Sequence, residues 1–167
     1  MRTLLLLRHA KSSWAKSSWA KSGSGPELDD FDRPLNERGR AAAPLMGRLL
    51  VERGLVPDVI LCSSARRAVQ TLCPVVDESR FAGTIVITRE LYLVDPSAVV
   101  ELIRRAPPAE RLMVISHNPT LEALHAAFSG RHEPFPTAAL GRYDLGVAGF
   151  AELGMRAPVT HAELFCP

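Results

Sequence analysis

Four short apolar runs punctuate the chain, Thr3–Leu7, Asp58–Cys62, Thr84–Thr88 and Arg111–Ser116, and each is continuous rather than alternating. A strand that is apolar at consecutive positions is expected to be covered on both faces, which is the situation of strands in a parallel sheet flanked by helices. The intervening segments carry apolar residues at helical spacing: Leu45, Met46, Leu49 and Leu50; Ala68, Val69, Leu72 and Val76; Val99, Val100, Leu102 and Ile103. A fourth set, Leu121, Leu124, His125 and Phe128, follows the last run. Strand and helix in alternation predict an α/β fold, a three-layer α/β/α sandwich around a mostly parallel central sheet. Two further strands are predicted over Thr137–Leu145 and Pro158–Phe165, joined by a glycine-containing turn.

Composition narrows the class of protein. At 167 residues with 47% hydrophobic and 23% charged residues, the chain can bury a core without disulfide or metal staples. The whole of 1–167 therefore reads as a single domain. A net charge of +2 argues against the broad basic face of a nucleic-acid binder. The N-terminal apolar run is too short to span a bilayer and lacks the pattern of a cleaved signal, so a cytoplasmic protein without membrane association is expected. Cys62, Cys73 and Cys166 form no CxxC pair, so neither a disulfide framework nor a metal site is expected, and no cofactor is called for. Cys62 invites comparison with a cysteine nucleophile that has a phosphate-binding arginine six positions on. That position is Ala68, so Cys62 reads as a buried strand residue.

The helix starts locate a site. Asn36 can cap a helix beginning near Glu37, with Pro44 implying a kink or a late start. Ser63 or Ser64 can cap the helix carrying Arg66 and Arg67, and Asn118-Pro119 reads as a cap and first-turn pair. Each start follows a strand or its loop, which brings helix N-termini to the carboxyl edge of the sheet, where open α/β sheets bind ligands and anions are favoured. Arg8 and His9 end the first strand, Arg67 begins the helix after the second, and His117 ends the fourth. Guanidinium groups grip phosphate oxygens with paired donors, and imidazoles donate hydrogen bonds, attack phosphorus or carry protons. Two arginines and two histidines at one sheet edge therefore suit a phosphoryl group.

Together the stretches LLLLRHAKSSW, DDFDRPLNERGR, CSSARRAVQT, VISHNPTLEAL and FPTAAL resemble the histidine phosphatase superfamily, the phosphoglycerate-mutase-like enzymes. Within it the chain is most similar to the short SixA-type phosphohistidine phosphatases. The resemblance implies that His9 is the nucleophile, forming a phosphohistidine intermediate that water hydrolyses. Arg8 and Arg67 would lower the His9 pKa toward the neutral form, and with His117 would make the phosphate pocket. Arg67 is preferred to Arg66 because Arg67, Ala68, Val69, Gln70 and Thr71 match the family pattern. Arg33 would stand at the pocket rim. The acid for the leaving group falls in TRELYLVDPSA, where Glu90 and Asp95 are both candidates and Glu90 is carried as the catalytic one. Trp14 either packs at the pocket mouth or covers the core. The expected function is a metal-independent phosphatase of phosphohistidine on a protein, such as a histidine phosphotransfer domain or phosphocarrier. The alternatives are a phosphatase of small phosphate esters and a non-catalytic phosphohistidine-binding regulator.

One feature lies outside this pattern. AKSSW at Ala10–Trp14 is repeated at Ala15–Trp19 and begins again at Ala20, a tandem duplication expected to form a loop insertion at 15–25. Loop-closure entropy grows only logarithmically with length, so such an insertion costs little. It is either passive or a lip carrying Lys16, Trp19 and Lys21 to a protein substrate.

Overall fold

The computed structural model describes residues 1–14 and 29–167, so the duplicated segment and its expected insertion lie outside the described residues. The strands are β1 (Arg2–Arg8), β2 (Val59–Ser63), β3 (Thr84–Thr88), β4 (Arg111–Ser116), β5 (Leu140–Leu145) and β6 (Val159–Phe165). The helices are α1 (Glu37–Glu52), α2 (Arg66–Ser79), α3 (Pro96–Arg104) and α4 (Thr120–Ser129). The strands form one sheet in the order β3-β2-β4-β1-β5-β6. β3, β2, β4 and β1 are mutually parallel, while β5 runs antiparallel to both β1 and β6.

Alternate residues of the central strands feed two cores. Leu4, Leu6, Leu61, Leu112 and Val114 pack with Val99 and Ile103 of α3 and Leu121, Leu124 and Phe128 of α4. Leu5, Leu7, Ile60, Met113 and Ile115 pack with Met46 and Leu50 of α1 and Leu72 and Val75 of α2. Both faces of β1, β2 and β4 are thus dry, which is why their apolar runs are continuous. This is the three-layer α/β/α sandwich, and Cys62 is a buried core residue within it.

β3 departs from the expectation. Its Ile85, Val86 and Ile87 are exposed because β3 is the edge strand, paired with β2 alone. α1 starts at Glu37, its Asn36 side chain accepting from the Gly39 N–H at 2.9 Å, and it runs through Pro44, so there is no late start. The proposed caps of the other two helices are not used as such. Ala65 takes the N-cap position of α2 and has no side chain to cap it; Ser63, still in β2, accepts from the Ala65 N–H at 3.3 Å and also meets His117 in the site below. Pro119 stands before α4, and the Asn118 amide donates to the Phe135 carbonyl at 3.0 Å instead of capping the helix.

Candidate active site

The adjacency of β1 and β4 brings the two histidines together. The His9 backbone N–H donates to the Ser116 carbonyl at 3.1 Å, and the His9 and His117 ring centroids are 5.0 Å apart. Arg67 arrives from the neighbouring β2 through the first turn of α2. The segment leaving His9 is fastened on several sides: Ala10 N–H donates to Thr71 Oγ1 at 3.0 Å, and Asn36 N–H donates to the Lys11 carbonyl at 3.0 Å. Gly39 is required at the latter contact, since a Cβ there would fall 2.1 Å from the Lys11 carbonyl oxygen. Gln70 accepts from Leu35 N–H at 2.8 Å, tying the Arg33 segment to α2. Ala138 closes the other side in a positive-φ conformation (φ 60°), its N–H shared between the Arg8 and His9 carbonyls.

His9 is 6% exposed, with Nδ1 2.8 Å from the Ala10 carbonyl and Nε2 accepting from Arg67 Nε at 3.2 Å. A carbonyl can only accept, so the ring proton sits on Nδ1 and Nε2 is the unprotonated nitrogen, its one lone pair held by the Arg67 Nε–H. The His9 pKa is held down at about 3. Burial is the principal cause, opposed by the Ala10 hydrogen bond and reinforced by His117, Arg67 and Arg8. The arginines thus act in the expected direction but rank behind burial. His117 is also held at about 3, by burial first and then by Arg67 and Arg8 against the opposing charge of Asp30. Its Nε2 lies 2.8 Å from Ser63 Oγ, and its buried Nδ1 has no protein partner. When Ser63 donates to Nε2, neutral His117 carries its proton on Nδ1, leaving a donor for a bound oxyanion. Arg8 donates through Nη1 to the Phe135 carbonyl at 2.9 Å, and its buried Nε is also without a partner.

These groups line a cleft of about 350 Å³, together with Lys11, Ser12, Asp30 and Arg33. Arg33 lines the cleft, donating to Ser12 Oγ at 2.7 Å and Asp30 Oδ1 at 2.7 Å, with its guanidinium 3.4 Å from the Trp14 ring centroid. Trp14 is 81% exposed and lines the cleft, so it stands at the mouth rather than covering the core. Leu93, 51% exposed with φ at 51°, lines the same opening. A larger groove of about 860 Å³ beside α4, lined by Pro119, Glu122, Ala123 and His132 among others, holds neither of the paired histidines nor a lining arginine.

Glu90 is not brought to this cleft. Its side chain is 63% exposed and pairs with Arg105 at 3.3 Å, because the short helical turn after β3 carries it outward. Asp95 is also exposed, at the start of α3. The residue from that segment that reaches inward is Tyr92, whose ring meets His117 edge-on at 5.5 Å and whose hydroxyl donates to Asp30 Oδ2 at 2.7 Å. Asp30 and Ser63 were missed from sequence. Asp30 stands in DDFD, where three aspartates are indistinguishable by spacing, and Ser63 satisfied a capping rule equally well. Burial disfavours ionisation of Asp30, but hydrogen bonds from Tyr92 and Arg33 and the charge of Arg67 outweigh it and hold its pKa at about 2. Arg66 starts α2 exposed to solvent, whereas Arg67 is 4% exposed. His125 is buried and bonded to the Tyr143 hydroxyl at 2.6 Å and to Glu133 at 3.0 Å, a structural role. Among the described residues no group of three or more His, Cys, Asp or Glu could hold a metal ion, and no helix is long and apolar enough to cross a membrane.

A sheet edge that gathers a neutral imidazole, a second histidine and several guanidinium groups has the parts of an enzyme that handles phosphoryl groups. The chain belongs to the histidine phosphatase superfamily, branch 1, whose family model matches residues 4–92. An uncharacterized protein of Mycobacterium leprae is 30% identical over 159 residues, covering 95% of this chain and 92% of the relative. A crystal structure from Agrobacterium tumefaciens, of a protein assigned as the phosphohistidine phosphatase SixA, superposes with a TM-score of 0.79 at 30% identity. It covers 99% of this chain and 98% of the other. The protein histidine phosphatase SixA complexed with tungstate shares the fold, with a TM-score of 0.73 at 22% identity over 96% of this chain and 95% of that one. A 2,3-bisphosphoglycerate-dependent phosphoglycerate mutase of Nocardioides sp. is 40% identical over 75 residues, 45% of this chain and 28% of the mutase. Membership of the superfamily supports a phosphatase activity.

Proposed function

We propose that this protein hydrolyses phosphohistidine on a protein partner through a phosphohistidine intermediate on His9. The observation that carries the reading is His9 itself, neutral, with its proton on Nδ1 and its unprotonated Nε2 held by the Arg67 Nε–H in a cleft of cationic groups. In the first step the Arg67 Nε–H turns from His9 to a phosphoryl oxygen, and the freed Nε2 lone pair forms a bond to phosphorus as the bond from phosphorus to the substrate nitrogen breaks, the electron pair departing with the leaving imidazole. Arg8, Arg67 and the Nδ1–H of His117 bind the three equatorial oxygens, and Arg33 adds positive charge at the rim. In the second step water attacks phosphorus, the bond to His9 Nε2 breaks, and the water proton leaves with phosphate or to solvent, restoring neutral His9.

The leaving group is chosen by what the cleft cannot do. An alkoxide needs a proton donor, yet the only carboxyl among the described lining residues is Asp30, which is held ionised and has no proton to give. An imidazole protonated on its far nitrogen departs without such help, which favours a phosphoramidate over an alkyl phosphate. Trp14 and Leu93, both exposed at the mouth, offer apolar surface that a macromolecular substrate would cover and a sugar phosphate would not. Leucine in the left-handed region costs on the order of 1 kcal/mol, a strain often found at binding sites. The reaction needs no metal, because the arginines supply the positive charge that a divalent ion would otherwise bring. Free cysteines are compatible with the cytoplasm as its place of action.

The test compares a phosphohistidine protein, an aryl phosphate and small sugar phosphates under one set of conditions, with rapid-quench trapping of labelled enzyme. Preference for the phosphohistidine protein and an acid-labile, base-stable label on His9 are expected. A label on cysteine or serine, or turnover of sugar phosphates alone, would overturn the reading.

A further inference from the structure

The phosphate-binding arginine is already occupied by an anion. Arg67 turns Nε toward His9, while Nη2 donates to Asp30 Oδ2 at 3.0 Å and Nη1 donates to the Asp30 backbone carbonyl at 2.5 Å. Both terminal nitrogens of its fork therefore face Asp30. The same carboxylate is gripped from two further sides, by the Tyr92 hydroxyl at 2.7 Å and Arg33 Nη1 at 2.7 Å. The turn that carries it is pinned by Phe31, which meets Tyr92 edge-on at 5.0 Å and lies under the Arg89 guanidinium at 4.4 Å.

We propose that Asp30 is the resident counter-ion of the phosphoryl pocket, a positioning residue that holds Arg67 between turnovers and sets how tightly phosphate is bound and how quickly it is released. The inference rests on the phosphatase reading above and deepens it. Arg8, Lys11, Arg33 and Arg67 would by themselves retain a phosphate dianion, the product of every turnover. A carboxylate among them repels that dianion and competes for the Arg67 donors. The two partners differ in freedom: the Arg67 side chain is 4% exposed and anchored in α2, whereas Asp30 is 37% exposed on a three-residue turn. Despite its bonds to Tyr92 and Arg33, Asp30 is therefore the partner with more room to yield when a phosphoryl group arrives and to return when phosphate leaves.

A scaffolding role and a counter-ion role predict opposite signs. If Asp30 only braces Arg67, removing its charge disorders the guanidinium and weakens phosphate binding. If it is the counter-ion, Asp30→Asn removes the repulsion and frees donors, so inorganic phosphate binds roughly ten-fold more tightly, as expected for one like charge at the edge of a partly solvated site. KM then falls with the phosphate dissociation constant, and kcat falls too because product leaves more slowly. Asp30→Glu restores both toward the original values.

The experiment is calorimetric titration of inorganic phosphate into the wild-type protein, Asp30→Asn, Asp30→Ser, Asp30→Glu and Arg67→Ala, with steady-state kinetics and a thermal melt on each. Asp30→Ser repeats the neutralisation should Asp30→Asn not fold. Tighter binding in the neutral variants supports the inference, and unchanged or weaker binding overturns it while leaving the phosphatase reading intact. If the wild-type protein does not bind phosphate, or Arg67→Ala leaves binding unchanged, the phosphatase reading itself fails.

Discussion

The neutrality of His9 should be visible in stability as a function of pH. The folded protein holds its pKa at about 3, whereas an exposed histidine titrates near 6.5. On acidification the unfolded chain therefore takes up a proton on this residue well before the folded one does. A group whose folded pKa is depressed contributes stability that is fully present above its unfolded value and is lost as pH falls toward the folded value. Between pH 7.5 and 4.5 the loss from His9 alone comes to about 2.7 kcal/mol, because each pH unit below 6.5 is worth about 1.36 kcal/mol. Asp30 does not confound this window, since its folded and ordinary values, about 2 and 3.8, both lie below it. The assay is urea unfolding at half-unit pH steps for the wild-type protein and His9→Asn. The difference in unfolding free energy between the two should shift by about 2.7 kcal/mol against the wild type as pH falls from 7.5 to 4.5. A difference that stays constant with pH would refute the argument, because it would mean that folded His9 takes up its proton near 6.5 despite its burial.

The remaining expectations concern activity. Ser63→Ala should lower kcat on an aryl phosphate by roughly ten-fold with little change in melting temperature, because it removes the bond at Nε2 that orients His117; an unchanged kcat would show that packing alone positions the ring. Glu90→Gln should leave hydrolysis of aryl phosphate and phosphohistidine within two-fold of wild type (roughly the noise of such assays), since its carboxylate faces solvent and Arg105; a hundred-fold loss on an alkyl phosphate would restore it as the acid. Trp14→Ala and Leu93→Ala should raise KM for a phosphohistidine protein but not for an aryl phosphate, and equal effects on both substrates would count against a macromolecular contact at the mouth. Chelation should leave turnover intact, and a loss restored by a divalent ion would oppose the proposed mechanism.

How far the site could be read from the chain depends on which residues backbone geometry places. Arg8 ends a strand, His9 and His117 immediately follow strands, and Arg67 lies in the first turn of the helix after a strand, so once the parallel sheet is inferred their meeting at the carboxyl edge follows from chain direction alone. Asp30 opens one short helical turn and Tyr92 directly follows another, both outside such regular elements, where no periodicity states which way a side chain points. The same freedom misled the choice of acid: Glu90 and Tyr92 are two residues apart, and a single turn decides that the tyrosine enters and the glutamate leaves.

The apolar patterning by itself determined the alternating architecture, because only strands covered by helices on both sides make continuous apolar runs profitable; β3 escaped that rule only through its place at the sheet edge, which pattern does not encode. The sequence likewise determined the basic and imidazole content of the site. Tertiary structure decided its pKa and its counter-charge, while a local contact set the His9 tautomer. The His9 proton is assigned by a carbonyl one residue away and its pKa by burial, and Asp30 becomes the partner of Arg67 through a contact spanning 37 positions. Burial and long-range hydrogen bonding are properties of neighbours in space, and a linear pattern carries them only where a regular element fixes the direction of the side chain.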